Sequence, residues 1–258
     1  MIDYEIFGTE MQYVEVTLDP GETVIAEAGV MMFMTPGVQM QTVFGDPSKQ
    51  QQGLLGKLAS AGKRMVTGES LFVTTFTASG RGRETVAFAA PYPGKIIPLH
   101  LDQHGGEIIC QKDSFICAAR GVQISIAFQK KIGVGLFGGE GFIMQRLTGD
   151  GIALVHAGGT VMTRDLQPGE TIRLDTGCLV ALERSVTYDV QLVGGVKNTL
   201  FGGEGLFLAN VTGPGKVWFQ SLPFSRLAGR VLANAGGGKS RDEGGLLGNL
   251  GGLLGNSD

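Results

Sequence analysis

Phe137-Gly138-Gly139-Glu140-Gly141-Phe142-Ile143 recurs downstream as Phe201-Gly202-Gly203-Glu204-Gly205-Leu206-Phe207, and a shorter relative, Gly68-Glu69-Ser70-Leu71-Phe72, lies at a similar distance upstream. A near-constant spacing reports a repeated structural unit before any secondary structure is assigned. Each copy leads into a tight Gly-x-Gly turn: Gly80-Arg81-Gly82, Gly149-Asp150-Gly151 and Gly213-Pro214-Gly215. A third landmark, Pro20-Gly21-Glu22-Thr23, is echoed by Pro93-Gly94-Lys95-Ile96 and Pro168-Gly169-Glu170-Thr171. Pro-Gly turns launch strands. The three landmarks together predict three diverged copies of one unit of about 70 residues.

Between the landmarks the hydrophobic period is two. Val122, Ile124, Ile126 and Phe128 alternate with polar or small residues, as do Ile172 with Leu174, and Val186, Tyr188, Val190 with Leu192. Such alternation is that of strands with one face on a core. Gly is abundant, at 43 of 258 residues, and mostly separates short apolar runs, so it marks turns. The fold class expected is all-β: three pseudo-repeated, jelly-roll-like units, with one short inserted helix and a C-terminal helix.

The expected organisation is repeat 1 over 1–75, repeat 2 over 76–145 and repeat 3 over 146–221. Within repeat 1, residues 51–65 carry Leu54, Leu55, Leu58 and Met65 beside Lys57, Lys63 and Arg64, the pattern of a short basic amphipathic helix. Phe224, Leu227, Ala228, Val231 and Leu232 fall at helical spacing, so a helix over 222–234 is expected to pack on the β core. Residues 235–258 are expected to be a flexible Gly/Leu-rich tail, because each Gly costs about 1 kcal/mol against helix.

Length and 43% hydrophobic content permit a substantial core without metal or disulfide staples. No stretch reaches the roughly 18 apolar residues of a membrane span, and the three cysteines sit in apolar runs, so a soluble cytoplasmic protein is expected. A net charge of −3 with mixed signs gives no general attraction to nucleic acid.

Met65-Val66-Thr67-Gly68-Glu69-Ser70-Leu71-Phe72, Ala90-Pro91-Tyr92-Pro93-Gly94-Lys95-Ile96, Gly106-Glu107-Ile108-Ile109-Cys110-Gln111-Lys112 and the Phe-Gly-Gly-Glu-Gly elements resemble the mitochondrial-biogenesis (altered inheritance of mitochondria) family, a group of unknown function. The resemblance covers residues 1–234. It implies a fold similar to the tryptophan RNA-binding attenuation protein and a homotrimer closing into a ring of nine units. It brings no reaction with it.

Two nucleotide-motif matches fail on context. Gly133-Val134-Gly135-Leu136-Phe137-Gly138 leads into a strand rather than opening a helix, and Gly238-Lys239-Ser240 lies too near the end for a phosphate loop's helix and strands. No Ser occupies a G-x-S-x-G elbow and no Cys has a His partner by motif, so no catalytic residue and no cofactor are assigned. The candidate metal ligands are His100, His104 and Glu107, close in sequence yet wrongly spaced for His-x-His. Glu69, Glu140 and Glu204 recur once per unit and are candidate repeated ligand or interface positions. His156 and Gln220 occupy matching places, which suits a structural hydrogen bond.

The leading expectation is a non-catalytic, ring-forming binding or scaffold protein with a protein or small-molecule partner. The alternatives are a metal-dependent or small-molecule enzyme of the jelly-roll class, and a ring that binds RNA through pairs such as Arg81/Arg83 or a membrane surface through 51–65 or 241–258.

Overall fold

A computed structural model of the chain describes residues 2–27, 29–44, 72–130, 142–193 and 206–235. Nineteen strands and one α-helix lie among them. The first six strands are β1 (Asp3–Phe7), β2 (Tyr13–Leu18), β3 (Thr23–Glu27), β4 (Met31–Met34), β5 (Val38–Phe44) and β6 (Phe72–Ala78). Next come β7 (Glu84–Ala89), β8 (Gly94–His100), β9 (Glu107–Gln111), β10 (Phe115–Ala119), β11 (Gln123–Lys130) and β12 (Phe142–Thr148). The last are β13 (Ile152–Gly158), β14 (Val161–Leu166), β15 (Thr171–Asp175), β16 (Leu179–Glu183), β17 (Thr187–Val193), β18 (Leu206–Thr212) and β19 (Gly215–Gln220), followed by helix α1 (Phe224–Ala235).

The strands form four antiparallel sheets. Sheet A runs β1-β2-β7-β4, sheet B β5-β6-β3-β10-β13-β8, sheet C β11-β12-β9-β16-β19-β14, and sheet D β15-β18-β17. Three hydrophobic cores lie between them. Val14, Val16 and Phe88 of sheet A meet Val24, Phe76, Ile116 and Leu154 of sheet B. The opposite face of B, with Ile25, Val155 and Ala157, meets Ile108, Leu147 and Trp218 of C. The far face of C, with Ile109, Met144 and Phe219, meets Val190, Ala209 and Val211 of D. Two-sided burial explains why β13 reads Ile-Ala-Leu-Val-His-Ala-Gly with every residue buried, whereas β2 in an outer sheet alternates.

Pairing recurs with a shift of six strands. β2–β7, β8–β13 and β14–β19 are paired, as are β3–β6, β9–β12 and β15–β18. The pairs β4–β7, β10–β13 and β16–β19 each carry a register shift at the same place, between Met31 and Phe33, Phe115 and Cys117, and Leu179 and Ala181. The Gly-x-Gly turns occupy matching places, before β7, β13 and β19. The units are not separable domains. Breaks at 75/76 and 145/146 fall inside β6 and β12, and β3 pairs with β10 and β9 with β16 across the unit boundaries.

The Pro-Gly landmark needs correction. Pro20-Gly21 precedes β3 and Pro168-Gly169 precedes its counterpart β15, and the two turns share their bonding: Glu22 accepts from Asp19 N–H at 3.1 Å and Glu170 from Gln167 N–H at 2.8 Å. Pro93-Gly94 launches β8, the counterpart of β2 and β14, and so stands elsewhere in the unit. Before β9 the turn is a 3-10 segment, Leu101–His104, closed by Gly105 and Gly106 at φ 69° and 78°. Two consecutive positive-φ residues demand glycine there.

The C-terminal helix forms as the spacing predicts, beginning after Pro223, but none of its described side chains is fully buried, so it rests on the sheets without entering a core. The predicted helix at 51–65 and the tail lie outside the described residues.

Candidate functional site

The three candidate metal ligands do not converge. His104, in the turn before β9, places Nδ1 2.8 Å from Glu183 Oε1 and its ring edge-on to Trp218 at 5.3 Å. Glu107 accepts from Arg146 Nε at 3.0 Å, and His100 stands at the end of β8 opposite Ile152. No group of three His, Cys, Asp or Glu side chains suited to a metal occurs among the described residues. Glu69, Glu140 and Glu204 lie outside the described residues, as do both nucleotide-motif matches. Of the basic pair Arg81/Arg83, Arg83 is held by Asp3 and Asp19.

Sequence reasoning missed Glu183. Its Oε2 accepts from Lys216 N–H at 2.9 Å while Oε1 meets His104, so one carboxylate ties β16, β19 and the β8–β9 turn together. Burial pushes the Glu183 carboxyl up, but the Lys216 N–H and His104 outweigh it and hold the pKa below the ordinary value. Thr35 does the same work one position after β4, its Oγ1 accepting from Thr85 N–H at 3.0 Å. The signal available in the sequence was only positional, because Thr and Glu share no chemistry beyond accepting a hydrogen bond.

His156 and Gln220 do occupy matching places, one residue after the register-shift partners Val155 and Phe219. Gln220 accepts from Gly158 N–H at 2.7 Å and donates to Gly177 O at 2.7 Å. His156 differs. It is 1% exposed, its ring stands edge-on to Tyr92 at 4.5 Å, and neither ring nitrogen has a hydrogen-bond partner among the described residues. Burial lowers its pKa to about 4, a shift that the Tyr92 backbone offsets in part. The expected structural hydrogen bond is therefore made by Gln220 and not by His156. The counterpart of the Gly158 donor is Pro93, three residues before Ile96, and proline has no N–H.

The feature that departs most from the internal pattern is a pair of open sheet edges. β10 and β16 each have two neighbours, β13 with β3 and β19 with β9. Among the described residues their counterpart β4 has only β7, and β15, the counterpart of β3 and β9, has only β18. Burial follows. Ile116, Cys117 and Ala118, and likewise Val180, Ala181 and Leu182, are buried, while Met32, Phe33 and Met34 at the same positions of β4 are exposed, Met32 by 54%. The run Val24–Ala26 is buried, whereas Ile172 and Leu174 on β15 are only half-buried and Arg173 is exposed. Met162 on β14 is 46% exposed, although its counterpart Val14 on β2 is fully buried.

Comparison with known proteins places these observations in a family. An uncharacterized protein of Streptococcus pyogenes serotype M6 is 31% identical over 220 residues, covering 84% of each chain. The X-ray crystal structure of a Streptococcus pyogenes protein shares the fold at a TM-score of 0.69 and 24% identity, over 91% of this chain and all of that one. Among the described residues no helix is long and apolar enough to cross a membrane. The model of the mitochondrial biogenesis AIM24 family matches residues 4–222, and the chain belongs to that family.

Proposed function

We propose that this protein is a non-catalytic, cytoplasmic binding or scaffold protein whose chains join head to tail into a closed ring through β4 of one copy and β15 of the next. The carrying observation is that sheets D and A are the two halves of an order seen whole in sheets B and C. Reading β17-β18-β15 onward into β4-β7-β2 of a second copy reproduces, position by position, β5-β6-β3-β10-β13-β8. The missing neighbour accounts for the exposure of Met32, Phe33 and Met34. Open edges of this kind are templates for pairing, and cyclic closure removes them.

The register follows from the two junctions inside the chain. Cys117 faces Ala26 and Ala181 faces Cys110, so Phe33 faces Leu174 of the next copy and Met34 faces Arg173. The family resemblance implies three chains, hence a particle of three times the 27.1 kDa chain mass. Sedimentation or light scattering at micromolar concentration reads this directly. A Phe33→Glu substitution, exposed in the single chain, is expected to leave the chain folded and convert the ring to monomer. A monomeric wild-type protein, or a Phe33→Glu variant that assembles normally, overturns the proposal.

A further inference from the structure

The units are joined by short connectors before β2, β8, β14 and α1: residues 8–12, 90–93, 159–160 and 221–223. Each, together with the strand residue that flanks it, bonds to the one before it. Gly94 N–H donates to Glu10 O at 2.8 Å, Gly159 N–H to Pro93 O at 3.0 Å, and Leu222 N–H to Gly158 O at 3.1 Å. The acceptors are equivalent, standing three residues before Tyr13, Ile96 and Val161, which face Ala89, His156 and Gln220. The connectors therefore form a continuous series, with 8–12 first and 221–223 last.

Helix α1 starts at the last member of that series. Phe224 rests 5.5 Å from the Tyr92 ring yet is 51% exposed, and Val231, two turns further along the same stripe, is exposed as well. Arg226 fixes the helix to Asp175 at 3.1 Å and reaches Cys178, which puts α1 at the end of the open strand β15. The first connector carries an exposed apolar group of its own, Met11, at 56%. In a head-to-tail arrangement 221–223 leaves the last unit at the junction where 8–12 of the next copy enters its first, as 90–93 and 159–160 join units within the chain, so the exposed stripe and Met11 are brought to one place.

We infer that α1 is an inter-copy strap, docking its Phe224–Val231 stripe on connector 8–12 of the next copy with Met11 as its main contact. This rests on the head-to-tail reading, which supplies the neighbour. The occupant is a second copy and not a foreign partner, because the junction that 221–223 leaves is the one that another chain's first connector enters and because α1 is anchored beside the edge that the same chain pairs with.

The test uses the full chain with Cys178→Ser, Cys110 and Cys117 being buried. One variant carries Met11→Cys with Phe224→Cys, and another Phe33→Cys with Leu174→Cys; residues opposed on antiparallel strands lie within disulfide reach. Mild oxidation is expected to give inter-chain dimers and trimers on non-reducing gels for both pairs and for none of the single-cysteine controls. Linkage of 33–174 without 11–224 overturns the strap and leaves the ring standing; linkage of neither overturns the ring reading and the strap with it. In the uncrosslinked protein Phe224→Ser, at a half-exposed position that the fold tolerates, is expected to weaken assembly at least tenfold by sedimentation. Unchanged assembly overturns the inference.

Discussion

His156 offers a sharp test of the buried architecture because its charge state is coupled to folding. In the folded chain its pKa is lowered to about 4, whereas in the unfolded chain it titrates near the ordinary value of 6.5. Between those values the unfolded state binds the proton and the folded state does not, so stability rises with pH and is lost as pH falls from 6.5 towards 4. Each pKa unit is worth about 1.4 kcal/mol, so the complete loss is about 3 kcal/mol, of which about 2 kcal/mol is reached at pH 5. The assay is denaturant unfolding at pH 7.5 and 5.0, at one protein concentration because assembly itself stabilises. Wild type is compared with His156→Gln and His156→Leu, neither of which titrates. His100, His104 and every carboxylate are common to all three. The pH-dependent loss in wild type is therefore expected to exceed that in both variants by about 2 kcal/mol. Equal losses in all three would show that the imidazole is hydrogen-bonded or hydrated in the folded protein, and the reasoning would fail.

Glu183→Ala leaves the Lys216 N–H without its acceptor and is expected to cost about 1–3 kcal/mol in unfolding free energy, while Glu183→Gln, which keeps an acceptor oxygen, recovers most of it. Burial pushes the Cys110 thiol up to about 12 and raises Cys117 as well, so a thiol reagent is expected to label no more than the half-buried Cys178 in native protein and all three cysteines after unfolding.

What could be read from the sequence was local geometry. Alternation at 122–128 and 186–192 marked β11 and β17, the Gly-x-Gly turns marked the ends of β6, β12 and β18, and helical spacing marked α1. Pro93-Gly94 misled because a Pro-Gly pair announces that a strand begins and not which strand. The true counterpart, Leu101–Gly106, has no proline and a longer path. His100, His104 and Glu107 misled in the same manner: proximity along the chain said nothing of Glu183 and Arg146, which the sheets bring to His104 and Glu107 from 79 and 39 residues away. Cross-strand partners are set by register, and register is invisible to a single strand's composition.

The edges also differ in how they are protected, and the difference bears on assembly. Proteins blunt sheet edges that must stay in water with charged or polar side chains. β14, at the edge of sheet C, does this with exposed Thr163, Arg164 and Asp165, the last paired with Lys216. β17 presents Thr187 and Asp189, and β1 presents Asp3 and Glu5. β5, at the edge of sheet B, is also uncharged but carries polar Gln39, Gln41 and Thr42, whereas β4 reads Met-Met-Phe-Met, with no polar side chain and no proline, and bears the register shift that its buried counterparts use within a complete sheet. A strand kept in solvent has no reason to retain that bulge in step with Phe115/Cys117 and Leu179/Ala181. A strand that receives β15 of another chain, as β10 receives β3 and β16 receives β9, requires it, because the shift sets which residues face the incoming edge. Deleting Met32 to remove the extra residue is therefore expected to leave the β4–β7 pairing in place and abolish assembly, whereas an edge held only by apolar contact would assemble regardless.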